Sequence, residues 1–82
     1  MHVYIVPDSI RAKPTHHLNP FETVNKIRNT YQIEVKESSD LSAVIFDREN
    51  AVTSIVIDIT LPLHLQSAQL EECLFLIERH NK

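Results

Sequence analysis

The sequence contains no glycine among its 82 residues. Several nucleotide-binding and catalytic turns need glycine, because a Cβ atom would clash where their backbone approaches a phosphate or turns sharply. The P-loop, the dinucleotide-binding G-x-G-x-x-G turn and the G-x-S-x-G nucleophile elbow are therefore excluded.

Cysteine and long apolar runs are also scarce. Cys73 is the single cysteine, which excludes an intrachain disulfide and a cysteine-based zinc cluster. The apolar start of the chain ends at Pro7, too early for a signal peptide. No stretch approaches the roughly 20 apolar residues of a membrane span. We therefore expect a cytoplasmic protein without a membrane partner.

What is present is typical of a small globular protein. Apolar residues make up 43% of the chain and charged residues 23%, which are ordinary values for a folded domain. The length predicts a single domain over residues 1–82. The order of predicted elements is β-α-β-β-β-α. We expect an α+β fold, with a small, mainly antiparallel four-stranded sheet and two helices packed against it.

The first half of the chain predicts a strand, a long loop and a helix. Residues 2–6 are apolar on both faces, which favours a central strand. After the loop, Asn19 can act as N-cap, Pro20 fits the first helical position, and Glu22 can reach back to the cap. The apolar stripe of this helix is predicted to face the core and consists of Phe21, Val24, Ile27 and Tyr31.

The second half predicts an edge strand, a hairpin and a closing helix. Residues 31–36 alternate between apolar and polar, as in a half-buried strand at or near a sheet edge. Residues 41–61 read as a β-hairpin, with Asn50 at positive φ because asparagine tolerates that conformation best when glycine is missing. The closing helix is expected over residues 67–80, and its core stripe is Leu70, Cys73, Leu74 and Ile77.

The hairpin carries apolar residues on both of its faces. Pairing Phe46 with Val52 under strict alternation places Ala43, Ile45, Ile55 and Ile57 on one face. The opposite face then carries Val44, Phe46, Val52 and Val56. We expect the first of these faces to be covered by the chain's own elements, and the second to contact another chain.

Charge is distributed unevenly along the chain. Residues 1–36 hold five basic and three acidic residues, whereas residues 37–82 hold three basic and eight acidic ones, for a net charge of −3. Asp47 and Glu49 belong to the acidic half and lie at the predicted hairpin tip. An acidic surface speeds the encounter with a cationic partner, so we add these two residues to the predicted partner-binding set.

Two patterns indicate nuclease chemistry, each beside a simpler interpretation. Asp8 with Glu34 and Lys36 spells P-D…E-x-K, which places two carboxylates for Mg²⁺ and a lysine in some nucleases. A turn residue and the solvent face of an edge strand explain the same letters, and we favour that interpretation. The adjacent His16 and His17 cannot easily share a metal ion, but as an acid–base pair they could cleave RNA. The simpler interpretation, which we favour, is two histidines that are solvated or lie at the entry of the helix.

Cations accompany those histidines in the first loop. Arg11 and Lys13 lie in the same segment, and Lys26, Arg28 and Lys36 could extend a basic patch. Cys73 falls on the apolar stripe of the closing helix, so we interpret it as a core residue rather than a reactive thiolate.

No coherent catalytic set emerges, so we predict a non-enzymatic protein-binding module without metal or cofactor. It would inhibit, neutralise (as an immunity protein does) or accompany another protein, and the acidic half of the chain favours a basic one. The alternative is a small nucleic-acid-binding or RNA-cleaving protein that uses the loop of residues 8–17. A third interpretation is a structural subunit that forms a homodimer.

Overall fold

A computed structural model describes residues 2–7 and 19–81. The elements are β1 (His2–Ile5), α1 (Pro20–Thr30), β2 (Glu34–Ser38), β3 (Ala43–Phe46), β4 (Val52–Asp58) and α2 (Leu63–His80). This is the predicted α+β fold, with four strands, two helices and the order β-α-β-β-β-α.

The four strands form one mixed sheet in the order β1-β3-β4-β2. β3 lies antiparallel to both β1 and β4, whereas β2 runs parallel to β4. β1 and β2 therefore run in the same direction, at opposite edges of the sheet. Helix α1 connects them, and a helix is the usual crossover between two strands that run parallel. The sheet is therefore mainly antiparallel, as expected, with one parallel pair at an edge.

Both edge strands differ in detail from the sequence-based expectation. β1 was predicted to be central, but it lies at an edge and its four residues are exposed. β2 occupies the opposite edge, as predicted, but it begins at Glu34. Tyr31 still belongs to the end of α1, as its C-cap, and Gln32 then adopts a positive φ of 57°. The alternating pattern therefore begins before the strand does.

The start of α1 confirms the predicted cap. The Asn19 side chain accepts a hydrogen bond from the backbone N–H of Phe21 at 2.9 Å, and Pro20 occupies the first helical turn. The stripe was predicted less well. Ile27 is buried, and Val24 and Tyr31 are partly buried against the core, as predicted. Phe21, in contrast, is 69% exposed, and Thr23 is buried in addition.

Replacing Asn19 with alanine is expected to lower the free energy of unfolding by about 1 kcal/mol, because the cap hydrogen bond is lost. Urea denaturation measures this change. Asn25→Ala is the matched control: Asn25 is exposed inside α1, and alanine there favours the helix slightly. Equal destabilisation by the two substitutions would contradict the capping role of Asn19.

The core lies between the sheet and the two helices, and we call the side of the sheet that faces α1 and α2 the inner face. The buried apolar residues of the core, from the sheet, the helices and the segments between them, are Val6, Ile27, Ile33, Val35, Val44, Phe46, Val52, Ile55, Ile57, Leu70, Cys73 and Ile77. Helix α2 begins at Leu63, four residues earlier than predicted. Its stripe buries Leu70, Cys73 and Ile77 as expected, with Leu74 partly buried against them.

Two polar contacts tie α2 to the sheet. The Ser42 hydroxyl donates to Oε1 of Gln69 and accepts from the backbone N–H of Asp58 at 2.8 Å. At the other end of the helix, the Asn81 amide makes both hydrogen bonds that a neighbouring strand would make to Val52. Val52 N–H donates to Asn81 Oδ1 at 2.7 Å, and Asn81 Nδ2 donates to the Val52 carbonyl at 2.9 Å.

The hairpin contains a β-bulge that changes which residues share a face. Phe46 pairs with Val52 and Asn50 has a φ of 63°, both as predicted. The register then shifts, because Ile45 pairs with Ser54 and Thr53 is the extra residue. A shift of one residue turns every later side chain to the opposite face.

The predicted faces of the hairpin are therefore wrong. Val44 pairs with Ile55 rather than with Ser54, so Ile55 and Ile57 turn to the inner face. Val56 turns to the opposite side, which it shares with Ala43 and Ile45. The expected set of Val44, Phe46, Val52 and Val56 is split, three on the inner face and one on the other.

Candidate functional site

The three buried members of the predicted partner-binding set lie under the chain's own helices. Val44, Phe46 and Val52 belong to the core, and the Phe46 ring meets the His80 ring edge-on at 5.1 Å between centroids. A partner could not reach them without displacing α2. Of the four apolar members of the set, only Val56, which is half-buried on the other face, remains accessible from outside.

The two acidic members of that set lie at the hairpin tip, as expected. Asp47 shapes the turn itself, because its Oδ1 accepts from the backbone N–H of Glu49 at 2.8 Å and of Ala51 at 3.1 Å. Glu49 is exposed beside Arg48. The tip therefore carries charges of both signs, and only Glu49 presents an uncommitted carboxylate there among the described tip residues.

The residues singled out for metal chemistry are dispersed. Glu34 and Lys36 project from the outside of β2 and form an exposed ion pair, with 3.8 Å between Lys36 Nζ and Glu34 Oε1. Asp8 lies outside the described residues. Over residues 2–7 and 19–81 no group of three or more His, Cys, Asp or Glu side chains could hold a metal ion.

Cys73 is fully buried in the core, as its place on the apolar stripe of α2 predicted. Burial raises the pKa of its thiol to about 12, and the neighbouring Glu72 charge adds to the effect. A thiol with so high a pKa carries almost no thiolate at neutral pH, and thiolate is the reactive form.

The predicted nucleic-acid loop, residues 8–17 with Arg11, Lys13, His16 and His17, lies outside the described residues and stays a prediction. Of the cations expected to extend it, Arg28 contacts the sheet, with Nη2 donating to the Val35 carbonyl at 3.2 Å. Lys36 is engaged with Glu34 on a different strand.

The strongest surface feature was not predicted and lies on the side of the sheet turned away from the helices. We call it the outer face. Its residues are Val3, Ile5, Ala43, Ile45, Ser54 and Val56, with Glu34 and Lys36 along the β2 edge. In the part of the chain that the structure describes, no helix packs over it.

The outer face combines apolar side chains with an uncharged edge. Val3 and Ile5 are 57% and 53% exposed on β1, and Ile45 and Val56 are half-buried next to them. Natural sheets usually protect an edge strand with charge. The β2 edge has that protection in Glu34 and Lys36, whereas β1 carries no Asp, Glu, Lys or Arg.

An open cavity of about 420 Å³ lies on the inner side, between the first turns of the helices and the β2–β4 pair. Its lining is apolar except for Arg28, Glu37 and Gln66. One positive and one negative side chain give a ligand no net charge to recognise.

Neither α1 nor α2, nor any other helix within the described ranges, is both long and apolar enough to cross a bilayer. Comparison with known proteins adds no further constraint: no protein-family model, no curated protein and no solved structure matches the chain.

Proposed function

We propose that this chain is a non-enzymatic protein-binding module and that its contact surface is the outer face. The observation that carries the proposal is the group of four large aliphatic side chains on that face, Val3, Ile5, Ile45 and Val56. Contiguous apolar patches that remain open to solvent often mark the interaction sites of small proteins.

The edge of β1 adds a second means of attachment. Within the described residues β1 pairs with β3 alone, so one row of its backbone N–H and C=O groups has no strand beside it. A partner could cover the outer face and also satisfy these groups. Burial of apolar area stabilises such a contact by roughly 25 cal/mol per Å², before the costs of association.

The acidic second half bears on the form that the module takes. Eight acidic residues against three basic ones over residues 37–82 favour encounter with a cationic protein. Neutralisation or accompaniment of a basic protein is therefore the form that we propose. In this arrangement the acidic surface of residues 37–82 receives the basic protein, and the outer face supplies a separate, apolar contact.

The test is capture of binding partners by three affinity-tagged versions of the chain. Ile5→Lys places a charge on the outer face, at an edge position where lysine is well tolerated. Ile59→Lys is the matched control, because Ile59 is 48% exposed, follows β4 and lines the cavity on the inner side of the sheet. We expect the wild type and Ile59→Lys to retain the same partner, and Ile5→Lys to lose it.

Circular dichroism must first establish that both variants are folded. Native mass spectrometry of the eluted complexes then identifies the partner, whether a second copy or another protein. If Ile5→Lys retained every partner of the wild type, the outer face would not be the contact surface.

A further inference from the structure

We infer that the outer face binds a second copy of this chain, packed face to face about a twofold axis that runs across the strands. The inference rests on the proposed function, because it takes the outer face as a contact surface and names its occupant. It follows from the order in which the strand pairing places large, small and charged side chains on that face.

The pairing divides the outer face into two rows across the sheet. The first row, from β1 to β2, is Val3, Ile45, Ser54 and Glu34. The second row, in the same order of strands, is Ile5, Ala43, Val56 and Lys36. Within each strand the two members are two residues apart, so the rows lie about 7 Å from one another.

The two rows are complementary in size on the central strands. On β3 the large Ile45 stands beside the small Ala43, and on β4 the large Val56 stands beside the small Ser54. Ala43 and Ser54 are buried, and so lie lower than their larger neighbours. A twofold axis between the rows sets the first row of one copy on the second row of the other. Each large side chain then meets a small one.

The two rows are also complementary in charge on β2. The same axis places Glu34 of one copy opposite Lys36 of the other, and Lys36 opposite Glu34. Both side chains are more than half exposed and are already extended toward each other in one copy. The dimer thus adds an intermolecular ion pair at each of these side chains, beside the pair that they already make within one copy.

Other ways of packing the two faces fit less well. An axis parallel to the strands would lay β2 of one copy on β1 of the other, and so press Glu34 and Lys36 against Val3 and Ile5. Charges on apolar side chains lose solvation without gaining a partner. A foreign protein, in turn, would not require the face to be complementary to itself. The observed pattern therefore favours a second copy.

The geometry is that of two sheets packed in a β-sandwich. Packed sheets lie about 10 Å apart, and their twist rotates the strand directions by about 30°. Contacts are then closest near the axis, where β3 and β4 cross their copies. The edges diverge, and long side chains such as those of Glu34 and Lys36 are suited to bridging that distance.

The test is a charge-reversal series followed by sedimentation velocity, from about 1 μM to about 1 mM protein. Glu34→Lys and Lys36→Glu each place like charges at both symmetry-related contacts. Exposed ion pairs contribute little individually, but each single variant replaces two of them with repulsive contacts, so we expect it to raise the dimer Kd about tenfold. The double exchange, Glu34→Lys with Lys36→Glu, should restore the Kd to within about twofold of the wild type.

An equimolar mixture of the two single variants is the sharpest measurement. Glu34→Lys supplies a cationic edge and Lys36→Glu an anionic one, so the mixture should form heterodimers in preference to either homodimer. Because both sites are exposed, the variants should stay folded, which circular dichroism checks.

The remaining outcomes separate the inference from the proposed function. A wild-type chain that stays monomeric but binds another protein through Ile5 would overturn the inference and leave the proposed function standing. A monomer with no Ile5-dependent partner would overturn both. A dimer whose Kd is the same in all the charge variants would use another surface, and would also overturn the inference.

Discussion

Replacement of Ile55 by alanine is expected to lower the free energy of unfolding by about 3–4 kcal/mol. Ile55 is fully buried and lies at the middle of the inner face, between Val44 on β3 and Val35 on β2. The substitution removes three buried carbon atoms and leaves a cavity that a rigid sheet cannot close. This is a large loss, because the total free energy of unfolding of a domain of this length is about 5–10 kcal/mol.

The same substitution at Ile59 provides the control. Ile59 lies just after β4 and is 48% exposed, so Ile59→Ala should cost less than about 1 kcal/mol. Urea denaturation of both variants at one low protein concentration keeps any dimer from contributing to the difference. Similar losses for the two variants would contradict the position of Ile55 in the core.

Alkaline pH is expected to destabilise the fold through Cys73. The pKa of this thiol rises from its ordinary value of 9.0 to about 12 in the folded chain, chiefly because burial disfavours the thiolate. Between these two values the unfolded chain has lost the proton and the native chain still holds it. Stability is therefore complete below about pH 9 and falls above it, by about 1.4 kcal/mol per pH unit. The total loss approaches about 4 kcal/mol at pH 12.

The measurement is the free energy of unfolding of the wild type minus that of Cys73→Ala, followed from neutral to strongly alkaline pH. The cavity left by the substitution adds a constant, whereas the thiol contributes only in the wild type. Tyr31 also has a raised pKa, from partial desolvation and then from its hydrogen bond and charge contact with Glu78. Both proteins contain Tyr31, so the difference removes its effect. A difference that stayed flat through this pH range would contradict the assigned burial of the thiol.

The sequence by itself determined those features whose causes lie within a few residues. Asn19 caps α1 because its side chain reaches an N–H only two residues away. Asn50 takes the positive φ because the chain offers no glycine at the turn. The order of the elements, the buried stripe of α2 and the core position of Cys73 follow from period and composition alone.

Features that depend on distant residues could not be read in this way. β1 is as apolar as a central strand, yet it lies at an edge, because the neighbours of a strand are chosen by the whole sheet. β2 pairs parallel with β4, and that choice depends on where α1 delivers the chain. The alternation of apolar and polar residues in a single strand carries no information about the position of that strand in the sheet or about the direction in which it pairs.

One extra residue in β4, Thr53, determines which side chains of the hairpin lie on the outer face, and only the tertiary structure shows it. Strict alternation assigned Val44, Phe46 and Val52 to a partner, but the bulge at Thr53 turns Ile55 to the same inner side as Val44. The backbone of Val52 is held by Asn81, which is 29 residues away in the sequence. A bulge shifts the strand register by one residue, and this one lies beside a contact between residues far apart in the sequence. The local pattern of apolar residues therefore cannot reveal which face of the hairpin the helices cover and which face stays open.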